Sequence, residues 1–281
     1  MPLLSHTPDN VSIKPRNREY AIAQCLGKDW FDDHAFKTAW FNSMSILFPL
    51  GEKFFIDSVR HYAKRIEDPK LQEEIRGFCG QEGYHRREHQ RYNETLCATR
   101  GYDLALMEGR LQKNLDRAYK FLSARQRLAG TAAVEHITAI MAESELADDN
   151  PMIQNVDPTM KQLWDWHAAE EMEHKAVAFD VYRAIGGTEK MRKGAMRRVT
   201  VFLMLDVLRN VVHMLRCDGK LWNLRLWAEG VTFLFGKDGI LRRVGPAYKD
   251  YFREGFHPWD RDTRHLLQHW NETDVAPQAA A

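Results

Sequence analysis

Apolar residues recur along most of this chain at intervals of three and four, the spacing that lines one face of an α-helix. Trp40, Ser43, Leu47 and Phe54 fall on related faces, so a first long helix is expected from about Ala35 to Ile66. Pro49 lies inside it and is expected to kink or split it, because proline lacks the amide hydrogen and crowds the preceding turn. Asp68-Pro69 reads as an N-cap followed by a first-turn proline, opening a second helix to about Leu96. Gly101 breaks the pattern between Arg100 and Asp103. A connecting helical segment from about Ala105 to Ala124 follows, then a third helix from about Ala129 to Ala147. The run Asp148, Asp149, Asn150, Pro151 marks a loop. Asp157-Pro158 repeats the start signal for a fourth helix that reaches about Ile185, where Gly186-Gly187-Thr188 stops it. Glu189 to Trp270 is again helical in pattern, and Asp274 to Ala281 reads as a frayed tail. Strand-type alternation is scarce. The expected division is an N-terminal arm over 1–34, a bundle over 35–187 and a helical extension packed on it over 188–281.

Composition narrows the reading. With 40 Lys plus Arg against 39 Asp plus Glu, the chain lacks the basic excess of a general nucleic-acid binder, and no phosphate-binding glycine loop is present. Cys25, Cys79, Cys97 and Cys217 are scattered, without a Cys-x-x-Cys pair, and the polar start lacks the apolar core of a signal peptide. A reduced, cytoplasmic protein is the expectation. The most apolar stretch, Val199 to Leu215, is interrupted by Asp206, Arg209, Asn210 and His213, so no membrane-spanning helix is expected. Basic residues from Lys190 to Arg198 precede it, which leaves membrane-surface contact as a minor alternative to an ordinary docking helix.

Two short motifs carry the chemistry: Glu82-Gly83-Tyr84-His85 and Glu171-Met172-Glu173-His174. Residues three apart share a helix face, so each carboxylate and imidazole can grip one metal together. Such a motif is weak evidence alone. The 12 histidines and abundant glutamates of this chain produce about one by chance, and a third, Glu254-Gly255-Phe256-His257, is set aside because Gly255 and Pro258 make a poor helix. The partners lift the first two above chance. Glu52 lies 30 residues before Glu82, with the Asp68-Pro69 turn near the midpoint, so an antiparallel hairpin brings the two level. Glu135 lies 36 residues before Glu171, with the Asp148 to Asp157 loop near the midpoint. One Glu from each of two helices plus Glu-x-x-His from each of two others is the ligand pattern of di-iron and di-manganese bundles, and the long passage from His89 to Ala129 fits the single crossover of ferritin-like folds.

The expected fold is therefore all-α: a ferritin-like four-helix bundle with a dinuclear metal centre and additional C-terminal helices. The candidate metal ligands are Glu52, Glu82, His85, Glu135, His167, Glu171 and His174. His167 is included because it precedes Glu171 by one turn. His89, one turn after His85, is a candidate ligand or hydrogen-bond partner behind the ligands. His136 is expected to point elsewhere, and Glu170 and Glu173 to lie off the site face. Four carboxylates balance two divalent ions. Oxygen and imidazole donors suit iron, with manganese or zinc as alternatives.

The segment Leu47-Phe48-Pro49-Leu50-Gly51-Glu52-Lys53-Phe54-Phe55, with Glu82 to His85 and Glu171 to His174, resembles a bacterial family described as predicted metal-dependent hydrolases, over roughly residues 15 to 270. The pattern His167-x3-Glu171-x2-His174 is also similar to the metal motif of di-iron arylamine N-oxygenases. Three functions are weighed. The first is an O2-dependent di-iron oxidase or oxygenase acting on a small organic molecule. The second is the two-metal hydrolase that the family description implies, and the third is a non-catalytic iron-binding protein. A homodimer is expected, and Trp164, Trp166, Phe179 and the segment Trp222 to Phe235 are candidates to line an apolar pocket.

Overall fold

A computed structural model describes residues 5–147, 150 and 155–274. Asp148, Asp149 and Pro151 of the expected loop, and residues 275–281 of the expected tail, lie outside them. The described chain forms α1 (Ala35–Ala63), α2 (Pro69–Arg100), α3 (Leu104–Phe121), α4 (Ala124–Leu146) and α5 (Pro158–His174). It continues with α6 (Val177–Ala184), α7 (Glu189–Cys217), α8 (Leu224–Phe235), α9 (Ile240–Asp250) and α10 (Arg264–Thr273). Among the described residues no strand forms beyond a single antiparallel bridge between Phe31 and Val156. The all-α expectation holds.

The boundaries follow from capping chemistry. Asp68 accepts from the Lys70 amide and Asp157 from the Thr159 amide, each with proline at the first helical position. Gly101 ends α2 in the left-handed conformation (φ 70°), four residues later than the pattern suggested. α4 starts at Ala124 rather than Ala129, because Ser123 and Gln126 exchange hydrogen bonds in a capping box. Pro49 neither splits nor ends α1.

One expectation is corrected: the fourth helix does not run to Ile185. It stops at His174, and α6 begins at Val177. The break sits at Lys175, whose buried ammonium donates to the Arg261 carbonyl (2.8 Å) and Thr263 Oγ1 (3.2 Å) and lies over the Trp259 ring. A C-terminal loop thus holds the turn just after the second motif.

α1 and α2 form one antiparallel hairpin, and α4 and α5 form the other. α3 is the crossover between them, packed on α1 and α7. The apolar interior divides into two large clusters. Leu47 on α1 and Tyr92 on α2 belong to one; Phe54 and Phe78 on the same helices belong to the other. Glu52, Glu82 and His85 sit between them, with apolar packing above and below. The later helices cover the bundle: α7 lies on α1 and α4, α8 on α1, α9 on α4 and α10 on α5. The N-terminal arm runs over α2, where Ile13 and Pro15 rest on Gly77 and Gly80.

Candidate metal centre

The four bundle helices bring all seven candidate ligands into one buried cluster. Each of Glu52, Glu82, His85, Glu135, His167, Glu171 and His174 is at most 4% exposed. Their side chains form overlapping groups: Glu52 with His85 and His167, Glu82 with His85 and Glu171, and Glu82 with Glu135 and His174. Within each group one donor atom from every residue lies within 4.8 Å of the others, close enough for a shared ion. The grouping crosses the hairpins. Glu52 of the first hairpin meets His167 of the second, and Glu82 meets Glu135 and His174. Glu171 lies between, its Oε1 3.1 Å from His167 Nε2, 3.5 Å from His85 Nδ1 and 3.6 Å from His174 Nε2.

Both carboxyl oxygens of Glu52, Glu82 and Glu135 are buried without a well-directed hydrogen bond; Glu82 Oε1 and Glu135 Oε2 both crowd His174 Nε2 at 3.3 Å, a nitrogen that can serve at most one of them. Buried polar atoms in a protein are nearly always paired. Three buried carboxyl groups so poorly satisfied in one spot fit a cation, and the donor chemistry of hard oxygen plus imidazole, with no thiolate, fits a divalent transition metal. The proton equilibria carry the same strain. Burial pushes Glu52 and Glu82 well above the usual carboxylate range, and Glu135 up to about 7. For His174, burial works against the charged form but is outweighed by Glu171 and Glu135, raising it to about 10. For His85, Glu170 and Glu171 likewise overcome burial and raise it to about 9. Burial also opposes ionisation of Glu171, yet His174 and the hydrogen-bonding histidines hold it well below the usual range.

Each histidine is oriented from behind. His174 Nδ1 lies 2.9 Å from Gln81 Oε1, and Gln81 Nε2 donates to Glu173 (2.7 Å). His85 Nε2 lies 3.0 Å from Glu170 Oε2. Arg16 of the N-terminal arm ties these supports together: its guanidinium bonds Glu170 (3.1 Å) and Glu173 (2.6 and 2.9 Å), and its amide donates to Glu170 (3.0 Å). Glu170 and Glu173, expected off the site, do project from another face of α5, but that face is buried and carries the outer support. Spacing marks them as carboxylates beside the motif. It does not reveal the arginine 154 residues away that gives them a role.

His167 is set by a chain of protons. Ser45 donates its one hydroxyl hydrogen to Asn93 Oδ1 (2.7 Å), while Asn93 Nδ2 donates to the Ser45 carbonyl (2.9 Å). Ser45 Oγ must then accept from His89 Nδ1 (2.9 Å). Burial and the neighbouring imidazoles hold His89 neutral, so its Nε2 accepts from His167 Nδ1 (2.7 Å). Burial and His85 push His167 down to about 4, which leaves its Nε2 with a bare lone pair facing the cluster. His89 thus sits behind His167. Second-layer contacts of this kind fix the tautomer of a metal-binding imidazole.

The remaining candidates fall outside. His136 Nε2 bonds the Ala247 carbonyl (3.1 Å), on the far side of α4. His257 of the third motif pairs with Asp180 (2.9 Å), and Gly255 is in the left-handed conformation there (φ 69°), breaking the helical spacing. A cavity of about 460 Å³ reaches His167 and Glu171 from between α1, α3, α4 and α7. Trp164 lines it. Trp166 instead packs edge-on against His85 (4.9 Å), Phe179 is buried among Tyr251, Phe256 and His257, and Trp222 is 87% exposed. No described helix is long and apolar enough to cross a membrane.

No curated protein and no solved structure is significantly similar to the chain. A family model described as "predicted metal-dependent hydrolase" matches residues 14–262, which include every residue of the cluster. The chain belongs to this family of predicted metal-dependent hydrolases.

Proposed function

We propose that the cluster holds two divalent metal ions and that the chain is a metal-dependent enzyme, with hydrolysis of a small organic substrate as its reaction class. The observation that carries the metal reading is the set of poorly satisfied buried carboxyl groups of Glu52, Glu82 and Glu135. The family description favours hydrolysis. Glu52, His85 and His167 would hold one ion and Glu82, Glu135 and His174 the other, with Glu171 lying between the two groups. Two bound ions would supply an activated water and a clamp on the leaving oxygen. The protein holds the imidazoles at fixed angles through Arg16, Gln81 and the Ser45–His89 relay, and the apolar cavity wall excludes bulk water from the substrate side.

A second reading, O2-dependent oxidation at two irons, is favoured by a specific observation. Two Glu from two helices and two Glu-x-x-His motifs from two others meet at one level, the arrangement of di-iron carboxylate bundles. Anaerobic loading with ferrous iron, and separately with manganese or zinc, followed by metal analysis of wild type and Glu135→Ala, tests the centre. Close to two ions per chain, with a clear loss in the variant, is expected. Equal content in the two proteins would sink the paired site. The loaded protein then divides the readings: ester or lactone cleavage without O2 uptake supports hydrolysis, and substrate-dependent O2 uptake on iron supports oxidation.

A further inference from the structure

The cavity beside the centre is a long channel of polarised character. Along α4 its wall runs from Gln126 to Glu145, a rise of about 28 Å at helical pitch. Between those ends the wall is mainly apolar, with Gly130, Ile137 and Met141 on α4, Leu47 on α1, Leu115 on α3 and Val199 on α7, broken by Asn114, Thr138 and the site residues His167 and Glu171. One end is basic and open. Arg117 and Arg198 are exposed there, beside Arg127 and the exposed rings of Phe121 (70%) and Phe202 (52%). Asp57, a nearby carboxylate, is engaged by Lys53 (2.6 Å) and Tyr119 (2.8 Å), so it does not cancel that charge. The opposite end carries Glu145 beside Met44 and Trp164, while Asp206 lines the α7 wall with its Oδ2 3.5 Å from Asn114 Nδ2, one turn from Arg117 on α3. Burial and Asp165 push Glu145 up to about 8, and burial raises Asp206.

We propose that this channel binds a free amphiphile with an aliphatic chain and a carboxylate headgroup, the headgroup at Arg117 and Arg198 and the chain running past the metal centre. Charge complementarity sets the orientation: an anion is attracted to the α3–α7 mouth, where the arginines of the lining gather. The apolar wall accepts a chain at a gain proportional to the surface removed from water. Glu135 lies about 12 Å along α4 from Arg127, so the ligand cluster is level with the interior of the bound chain and not with its charged end. The reacting group, an internal ester or an internal carbon, is then selected by its distance from the headgroup. That last point rests on the metal-centre reading; the binding does not.

Titration calorimetry with dodecanoate, dodecanol and dodecyltrimethylammonium, each below its micelle concentration, tests this on the full chain. One dodecanoate per chain is expected, bound about tenfold or more tightly than the cationic analogue. The double variant Arg117→Gln/Arg198→Gln should lose most of that discrimination while keeping dodecanol binding. Val199→Trp should block all three ligands with its metal content unchanged, and Leu115→Trp on the opposite wall serves if the first variant does not fold. Equal binding of acid and cation, or full binding in both blocked variants, would overturn the proposal. Chain binding without metal uptake would remove the metal centre and leave the channel, and metal uptake without chain binding would do the reverse.

Discussion

At the residue scale, the centre depends on groups that never touch a metal. Arg16 is the clearest case, since one guanidinium restrains the two carboxylates behind His85 and His174. Arg16→Ala is expected to lower metal affinity about 10–100-fold, measured by competition with a chelating dye. Arg16→Lys should recover only part of it, because an ammonium cannot reproduce the fork that reaches both glutamates. An unchanged affinity in Arg16→Ala would show that the histidines are held by packing alone. Six residues of the cluster were legible in the chain because Glu-x-x-His and its partner glutamate recur at matched distances around two turns, and His167 was legible as the histidine one helical turn before Glu171. The support by Arg16 was not, since nothing local distinguishes that arginine from the other basic residues of the arm.

At the element scale, the arm and α2 act as one unit. A Cβ on Gly77 would meet the Ile13 carbonyl oxygen at 2.3 Å, and one on Gly80 would meet Pro15 at the same distance. Backbone on one side and a rigid ring on the other leave little room to yield. Gly77→Ala is therefore expected to cost about 1–3 kcal/mol in denaturant unfolding, and to weaken metal binding as well, because Arg16 follows directly. Gly83→Ala is the control. Nothing lies within 4 Å of its Cβ, so the better helix propensity of alanine should leave stability equal or raise it by up to about 1 kcal/mol. A stability loss in Gly83→Ala as large as that in Gly77→Ala would sink the close-approach argument. Helix starts were readable wherever a cap residue and proline coincide. The stop at His174 was not, because it is made by Lys175 reaching a loop 86 and 88 residues later.

At the scale of the whole molecule, folding brings together the charges that a metal must compensate. A divalent ion that binds the folded chain alone stabilises it by mass action, about 2.7 kcal/mol at a hundredfold excess over Kd. Thermal unfolding should therefore shift upward with added metal and fall back with a chelator. The pH dependence has a definite sign. Glu135, raised to about 7 by burial, and Glu52 and Glu82, also raised by burial, must lose protons before they can bind a cation. Metal affinity should rise with pH through the region of 7, with protons released on binding. Affinity independent of pH between 6 and 8, roughly the range of that titration, would argue that these carboxylates do not bind the ion.

The order of helices, their antiparallel pairing and the residues at the bundle's middle were determined by the sequence alone, because helical periodicity, proline-cap turns and motif spacing are local signals. Tertiary structure alone decided which histidine faces which glutamate, that Glu170 and Glu173 serve the site from a second buried face, and that an apolar channel with a basic mouth passes the centre. Each of these depends on side chains from distant segments meeting in space. No pattern within a single helix records how its faces are apportioned among its neighbours.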